Sequence, residues 1–263
     1  MDIAIVIPAR YGSRRLPGKP MAEIRGRSLL GRVWSIAKAV SGVGAVYVAT
    51  DDERVAAHAT GMGAAVIMTD PACENGTERV WQAMSRLPGR RPDAVINLQG
   101  DAVLTPPWVV QGLVDAFRTD PATAMVTAAV RLTWATYADL LKLKQVSPTS
   151  GTTVTMDRFG RALYFSKGII PHLRKPDETR PPPVHRHIGI YGYSLEVLEQ
   201  MATLPPTPLE MAEQLEQLRA LENGIPITVV LVDYRGRTHG SVDSPEDIPE
   251  VEAIIDREGE LVP

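Results

Sequence analysis

The chain has 263 residues, 44% of them hydrophobic and 22% charged, with a formal net charge of −3. That balance excludes general disorder and a nucleic-acid binder driven by bulk charge. The single Cys73 excludes an intrachain disulfide and any multi-cysteine metal site. No apolar run approaches a membrane span of about 20 residues or has the form of a secretory leader, so the cytoplasm is the expected location and no membrane partner is expected.

The first half alternates short apolar runs with amphipathic stretches. Ile3–Ile7, Ala45–Ala49, Ala65–Met68 and Ala94–Leu98 read as strands. The first, second and fourth are nearly continuous apolar runs, the pattern of parallel strands buried on both faces. Between them, Ser28–Val40, Asp52–Met62 and Thr77–Leu87 repeat apolar residues at helical spacing. This order predicts an α/β fold with a mostly parallel open sheet and right-handed crossovers. From residue 131 to about 190 the character changes. Thr152–Met156 and Ala162–Phe165 read as strands around an Asp157–Gly160 turn, and Lys175–Pro183 reads as an exposed loop. This middle region is expected to be a smaller insertion. The chain then returns through a strand His187–Tyr193, a helix Pro208–Asn223, a strand Ile227–Val232 and a last helix starting at Pro245, capped by Ser244.

Five segments carry chemistry. After the first strand, Pro8 to Lys19 packs Arg10, Arg14, Arg15 and Lys19 beside Gly12 and Gly18. A loop there lies at the carboxyl edge of an open sheet, where ligands bind. Fixed cations suit a polyphosphate, although the Walker A spacing is absent. A merely solvated basic loop is the bland alternative. Asn97-Leu98-Gln99-Gly100-Asp101 ends the fourth strand, and Asp243 stands at the entry to the last helix. Either carboxylate alone is weak evidence, but two converging would suit Mg2+. Glu74-Asn75-Gly76-Thr77-Glu78-Arg79 opens a helix whose free N–H groups suit an anion or a base edge, or is a plain helix start. In Pro208–Arg219, Leu215 and Leu218 share an apolar face, while Glu210, Glu213 and Gln217 share another, which by default is solvated.

Together and in this order, these segments resemble the 3-deoxy-manno-octulosonate (Kdo) cytidylyltransferases, the CMP-Kdo synthetase family. Ala49-Thr50-Asp51, Ala162 to Ser166, His187 to Tyr193 and Val242 to Asp247 also match, so the resemblance covers nearly the whole chain. It implies a Rossmann-like nucleotidyltransferase fold, usually a homodimer. The implied reaction transfers CMP from CTP to a small acidic acceptor and releases pyrophosphate, with Mg2+. Residues 1–130 and 187–263 would then form the CTP-binding core, and 131–186 an inserted dimerisation and acceptor-side region. By resemblance, Arg10, Ser13, Arg15 and Lys19 hold the triphosphate. Ala9, Asn75, Gly76, Arg79 and Gln99 complete the nucleotide site. Asp101 and Asp243 bind the metal. Arg10, Lys19 and Asp101 act in catalysis. Lys167, His187, Tyr191, Glu210, Glu213 and Gln217 line the acceptor pocket.

The sequence departs from the family in places. The usual Gln-Gly-Asp-Glu-Pro reads Gln99-Gly100-Asp101-Ala102-Val103, so a carboxylate is missing beside the metal position. The usual His-x-Ser-Gly-Thr reads Cys73-Glu74-Asn75-Gly76-Thr77, the usual Tyr-Phe-Ser-Arg ends in Lys167, and Thr153 takes a lysine's place. Arg and Lys do not present the same fork to a carboxylate. These changes lie nearer the acceptor than the triphosphate loop. They raise two alternatives: a phosphonate acceptor such as phosphonoformate, and a non-catalytic CTP-binding homologue. Retention of Arg10, Lys19, Asp101 and Asp243 argues against the second.

Overall fold

The computed structural model describes residues 1–13 and 15–262; Arg14 and Pro263 lie outside the described residues. Strand β1 (Ile3–Pro8) leads through the basic loop and a 3-10 turn, Lys19–Met21, to a small ribbon of β2 (Glu23–Ile24) and β3 (Arg27–Ser28). Helix α1 (Leu29–Lys38), β4 (Ala45–Thr50), α2 (Glu53–Gly61) and β5 (Ala65–Met68) follow. Next come α3 (Gly76–Arg86), β6 (Ala94–Asn97), α4 (Pro107–Thr119) and β7 (Met125–Arg131). The middle region holds α5 (Trp134–Val146), β8 (Thr153–Met156) and β9 (Ala162–Ser166). The chain returns through β10 (His185–Ser194), α6 (Leu195–Thr203), α7 (Pro208–Glu213), α8 (Gln217–Glu222), β11 (Ile227–Leu231) and α9 (Asp247–Glu258).

The main sheet runs β11-β7-β10-β6-β1-β4-β5. β1 is parallel to β4 and β6, β4 to β5, and β11 to β7. The sheet is therefore the mostly parallel open one that the apolar runs predict. β1 is buried throughout because both sheet faces are covered. Ile3, Ile5 and Ile7 join one core layer with α1 and α4, while Val6 joins the other with α3 and α6. Burying each such side chain contributes about 1.5–3 kcal/mol. The three helices read in the first half begin where side chains can cap them. Ser28 Oγ accepts from Gly31 N (3.0 Å), Asp52 Oδ1 from Arg54 N (2.9 Å) and Asn75 Oδ1 from Glu78 N (2.9 Å).

β10 is antiparallel to both β6 and β7. Its amino-terminal half therefore lies at the carboxyl edge of its parallel neighbours, level with the end of β6. It continues into β8, which pairs with it through His185 and Arg186, and β9 completes a hairpin against β8. Leu132, Leu140 and Val184 make a separate small core under the middle region.

The structure corrects two helix expectations. Pro208–Asn223 is not one helix: Gln214 adopts a left-handed conformation (φ 53°, ψ 47°) and separates α7 from α8. The break brings Glu210 against Arg219, where Nε donates to Oε2 at 2.8 Å and Nη2 to Oε1 at 2.5 Å. On a continuous helix, two residues nine apart would lie about 13 Å apart along the axis on opposite faces. The last helix starts at Asp247 rather than Pro245, and Ser244 is not its cap. Asp247 Oδ2 instead turns back to accept from the amides of Asp243 and Ser244, both at 2.7 Å. β7, α4, α5 and α6 also form, beyond the elements read from the sequence. No helix among the described residues is long and apolar enough to cross a membrane.

Candidate active site

The loop after β1 is built around Tyr11. Its carbonyl accepts from Ser13 N (2.8 Å) and Gly18 N (2.9 Å), which coils the loop on itself. The Arg54 guanidinium, paired with Asp52, lies 3.4 Å from the Tyr11 ring centre and holds the loop from outside. This presents Ser13, Arg15 and Lys19 toward the sheet edge. Gly100 passes so close to β1 that a Cβ there would stand 2.9 Å from the Pro8 carbonyl oxygen. At Gly76 a Cβ would stand 3.0 Å from Gln99 Nε2. A side chain at residue 76 would push the Gln99 amide aside by a few tenths of an ångström, so glycine lets the first turn of α3 sit against it.

The result is a cavity of about 410 Å³ at the carboxyl edge. All nine residues expected to hold a nucleotide line it: Ala9, Arg10, Ser13, Arg15, Lys19, Asn75, Gly76, Arg79 and Gln99. Asp101 and Asp243 line it too, with Cys73 and Glu74 at its edge. Arg79 is buried; its Nη1 lies 3.2 Å from Asp51 Oδ1 and donates to Thr69 Oγ1 at 2.6 Å. Gln99 Nε2 donates to Asn97 Oδ1 at 2.9 Å, which fixes how its amide faces the cavity. The Cys73 thiol is pushed up by burial, so the reactive thiolate is disfavoured.

The two carboxylates converge. Lys19 Nζ donates to Asp101 Oδ2 (2.8 Å) and to Asp243 Oδ1 (3.3 Å), and Arg15 Nη2 lies 3.0 Å from the same Asp243 oxygen. An ammonium thus stands where a metal ion would meet both acids. Among the described residues no group of three or more His, Cys, Asp or Glu side chains gathers to hold a metal. Two carboxylates suit Mg2+, which keeps most of its shell as water and phosphate oxygens. The residues present therefore fit a phosphate-borne Mg2+.

Of the acceptor residues expected from the sequence, Lys167, His187, Tyr191 and Glu213 lie near one another, through the Lys167 N–Glu213 bond and the charge of Lys167 acting on His187. His187 and Tyr191 stand together, ring centres 5.5 Å apart, with Phe165 against His187. Tyr191 pairs in register with Asn97, the partner of Gln99, so this pair adjoins the cavity. Glu210 is engaged elsewhere: it holds Arg219 and accepts from the Thr207 amide at 3.1 Å. Glu213 accepts from Ser166 Oγ and from Lys167 N, both at 2.7 Å, and ties α7 to the end of β9. The break at Gln214 moves Gln217 to α8, while Glu210 and Glu213 stay together on α7. Gln217 is buried, with Nε2 lacking a partner.

Sequence reasoning missed Glu216. Burial pushes its carboxyl up, against the opposing pull of the Thr77 hydroxyl, and its Oε1 has no hydrogen-bond partner. It also raises the phenols of Tyr191 and Tyr193, after the larger effect of burial. The signal in the sequence was slight: Glu216 directly precedes Gln217 in a stretch that reads as a uniform acidic helix.

His187 Nε2 lies 2.9 Å from Thr127 Oγ1, whose hydroxyl donates to the Ile190 carbonyl at 2.8 Å. That hydroxyl must therefore accept from Nε2–H, which leaves Nδ1 as the lone-pair nitrogen.

The chain matches the family model described as cytidylyltransferase over residues 4–229. It is 53% identical over its whole length to the whole of a Maricaulis maris protein named 3-deoxy-manno-octulosonate cytidylyltransferase. It is 38% identical, over 95% of this chain and 82% of the relative, to the Arabidopsis thaliana protein of that name, described as mitochondrial. Among solved structures, a CMP:2-keto-3-deoxy-manno-octonic acid synthetase complexed with CTP matches with TM-score 0.85 and 36% identity, covering 98% of this chain and all of that one. A 4-diphosphocytidyl-2C-methyl-D-erythritol synthase from Anaerococcus prevotii, at 12% identity and TM-score 0.60, shares the fold. Fold and cavity define a nucleotidyltransferase. The chain belongs to the 3-deoxy-manno-octulosonate cytidylyltransferase family.

Burial first, then His239 and Lys167, pushes the His187 imidazole down to about 3. An unfolded His takes its proton near pH ~6.5, so below that the unfolded state binds more protons and stability falls as pH drops. Lowering pH from about 7.5 to about 5 is expected to remove about 2 kcal/mol through His187, read from urea midpoints. His187→Asn should reduce that slope, leaving the part that the likewise depressed His239 and His185 contribute; an unchanged slope would contradict a neutral, buried imidazole.

Proposed function

We propose that this protein transfers CMP from CTP to the anomeric hydroxyl of Kdo and releases pyrophosphate. The observation that carries the reading is the cavity itself. Anion-binding cations, a helix amino terminus and two converging carboxylates meet in one cavity at the carboxyl edge of the sheet.

Arg10, Ser13, Arg15 and Lys19 would take the triphosphate, with the Gly76 and Thr77 amides free to face anionic oxygens. Gln99, held by Asn97, and the backbone near Ala9 would read the cytosine edge. Asp101 and Asp243 would hold Mg2+, which supplies charge neutralisation at the phosphates and acidifies the attacking hydroxyl. The acceptor would lie beyond Gln99, against His187, Tyr191, Glu216 and Gln217. There the buried unpartnered atoms of Glu216 and Gln217, and Nδ2 of Asn97, offer partners to sugar hydroxyls. The acceptor oxygen attacks the α-phosphorus, the bond to the β-phosphate oxygen breaks in line, and the hydroxyl proton is lost. No covalent enzyme intermediate is needed, so the residues act by positioning and by charge.

Ala102, where the family usually carries an acid, is compatible with one other acceptor, a small phosphonate, whose attacking oxygen is already anionic. Pyrophosphate release from CTP and Mg2+ with Kdo, sialic acid and phosphonoformate tests both. Release should be fastest with Kdo, and Asp101→Asn should slow it on the order of 10²-fold or more. Turnover with phosphonoformate alone would replace the Kdo reading. Silence with every acceptor would leave a CTP-binding protein.

We also infer a homodimer joined through the middle region, where Leu141, Val146, Phe159 and Leu163 are exposed. Light scattering should give twice the chain mass of 28.6 kDa; a single-chain mass would refute the dimer.

A further inference from the structure

Asp101 and Asp243 are already occupied. Lys19 bridges them, and Arg15 holds Asp243 as well, so two acids and two cations close on one another. The CTP reading needs the same four side chains in other pairings: acids on the metal, cations on phosphate. No side chain can keep both sets of partners, because the Lys19 ammonium stands at the point the metal would occupy.

The anchoring shows which groups move. The Asp101 carbonyl accepts from Val103 N (2.8 Å) and Val242 N (3.4 Å), so the two acid-bearing loops are joined through backbone. Asp243 is fixed through its own amide on Asp247. The cations sit on long arms. Arg15 is 66% exposed and Lys19 reaches inward on a flexible four-carbon stem. A third carboxylate, Asp247, stands beside the pair, but its Oδ2 is taken up by the amides of Asp243 and Ser244.

We infer that Lys19, helped by Arg15, is an internal counter-ion that keeps the metal site shut until a triphosphate draws it away. A bare divalent cation meets two acids whose charge Lys19 and Arg15 already balance. A nucleotide triphosphate pulls Lys19 and Arg15 onto its own oxygens and frees both carboxylates for the cation it carries. Metal and nucleotide therefore bind together, each strengthening the other by the same factor. This rests on the proposed CTP and Mg2+ site.

Mn2+ is the probe, with free Mn2+ followed by electron paramagnetic resonance. The wild-type protein should bind Mn2+ weakly alone, and with CTP should remove more free Mn2+ than the same CTP does without protein, since CTP chelates the ion itself. Lys19→Met should raise the affinity for Mn2+ alone on the order of tenfold or more. Arg15→Gln, at an exposed position that tolerates the change, should raise it less. Adding Asp101→Asn to Lys19→Met should cancel the gain. The inference is overturned if wild type binds Mn2+ as tightly without CTP as with it. Unchanged Mn2+ affinity in both single variants, or a gain that survives Asp101→Asn, also overturns it. The comparison of variants is made without nucleotide. If CTP fails to bind at all, the function reading falls while the Mn2+ comparison still decides this inference.

Discussion

Asp101 follows the fourth parallel strand of the chain, Asp243 stands near its far end, and Lys19 follows the first strand. All three meet at one ammonium. That meeting constrains everything around it. The β1 loop must coil tightly enough to turn Lys19 inward, which its bonds to the Tyr11 carbonyl achieve. The end of β6 must run against the Pro8 carbonyl, which only a glycine at residue 100 permits. The last turn before α9 must fold back, and Asp247 holds it there. A half-buried cluster of this kind adds little net stability, since desolvation offsets attraction. Its value lies in holding two acids close together in advance of a ligand.

On the acceptor side the logic is burial without full satisfaction. β10 runs antiparallel and brings His187 and Tyr191 level with Gln99. Glu216, Gln217 and Asn97 each keep a buried polar atom without a partner. Each such atom costs about 1–3 kcal/mol. Apolar packing on both faces of the sheet offsets that cost, so the expense is borne by β1, β6 and the helices covering them. Glu210 shows the opposite arrangement: with Arg219 it forms an ion pair across the turn between α7 and α8.

Much of this was legible in the sequence, and the reasons are physical. Ile3–Ile7 and Ala94–Leu98 declared parallel strands because they carry apolar residues on both faces. Ser28–Val40, Asp52–Met62 and Thr77–Leu87 declared helices because their apolar residues recur at helical spacing, whereas the one cap read from sequence, Ser244, is not a cap. The basic run after β1 pointed to an anion because cations rarely gather beside a buried strand without one. What stayed hidden depends on contacts between distant residues. The break at Gln214 goes with the Glu210–Arg219 pair across it, and helical spacing alone favours a continuous helix. Glu216 looks like any acid on a polar helix until the break turns it inward. The shared grip of Lys19 on Asp101 and Asp243 has no local signature at all. α5 escaped for another reason: it buries only Leu140, so its apolar spacing is irregular.

The central claim is that one cavity at the carboxyl edge takes CTP with its metal. Hydrogen–deuterium exchange of the whole protein, with and without CTP and Mg2+, tests it most directly. The account predicts slower exchange at amides 9–19, 75–79, 99–101 and 240–247, with α4 and β11 unchanged. Protection confined to other segments, or no protection anywhere, would contradict it.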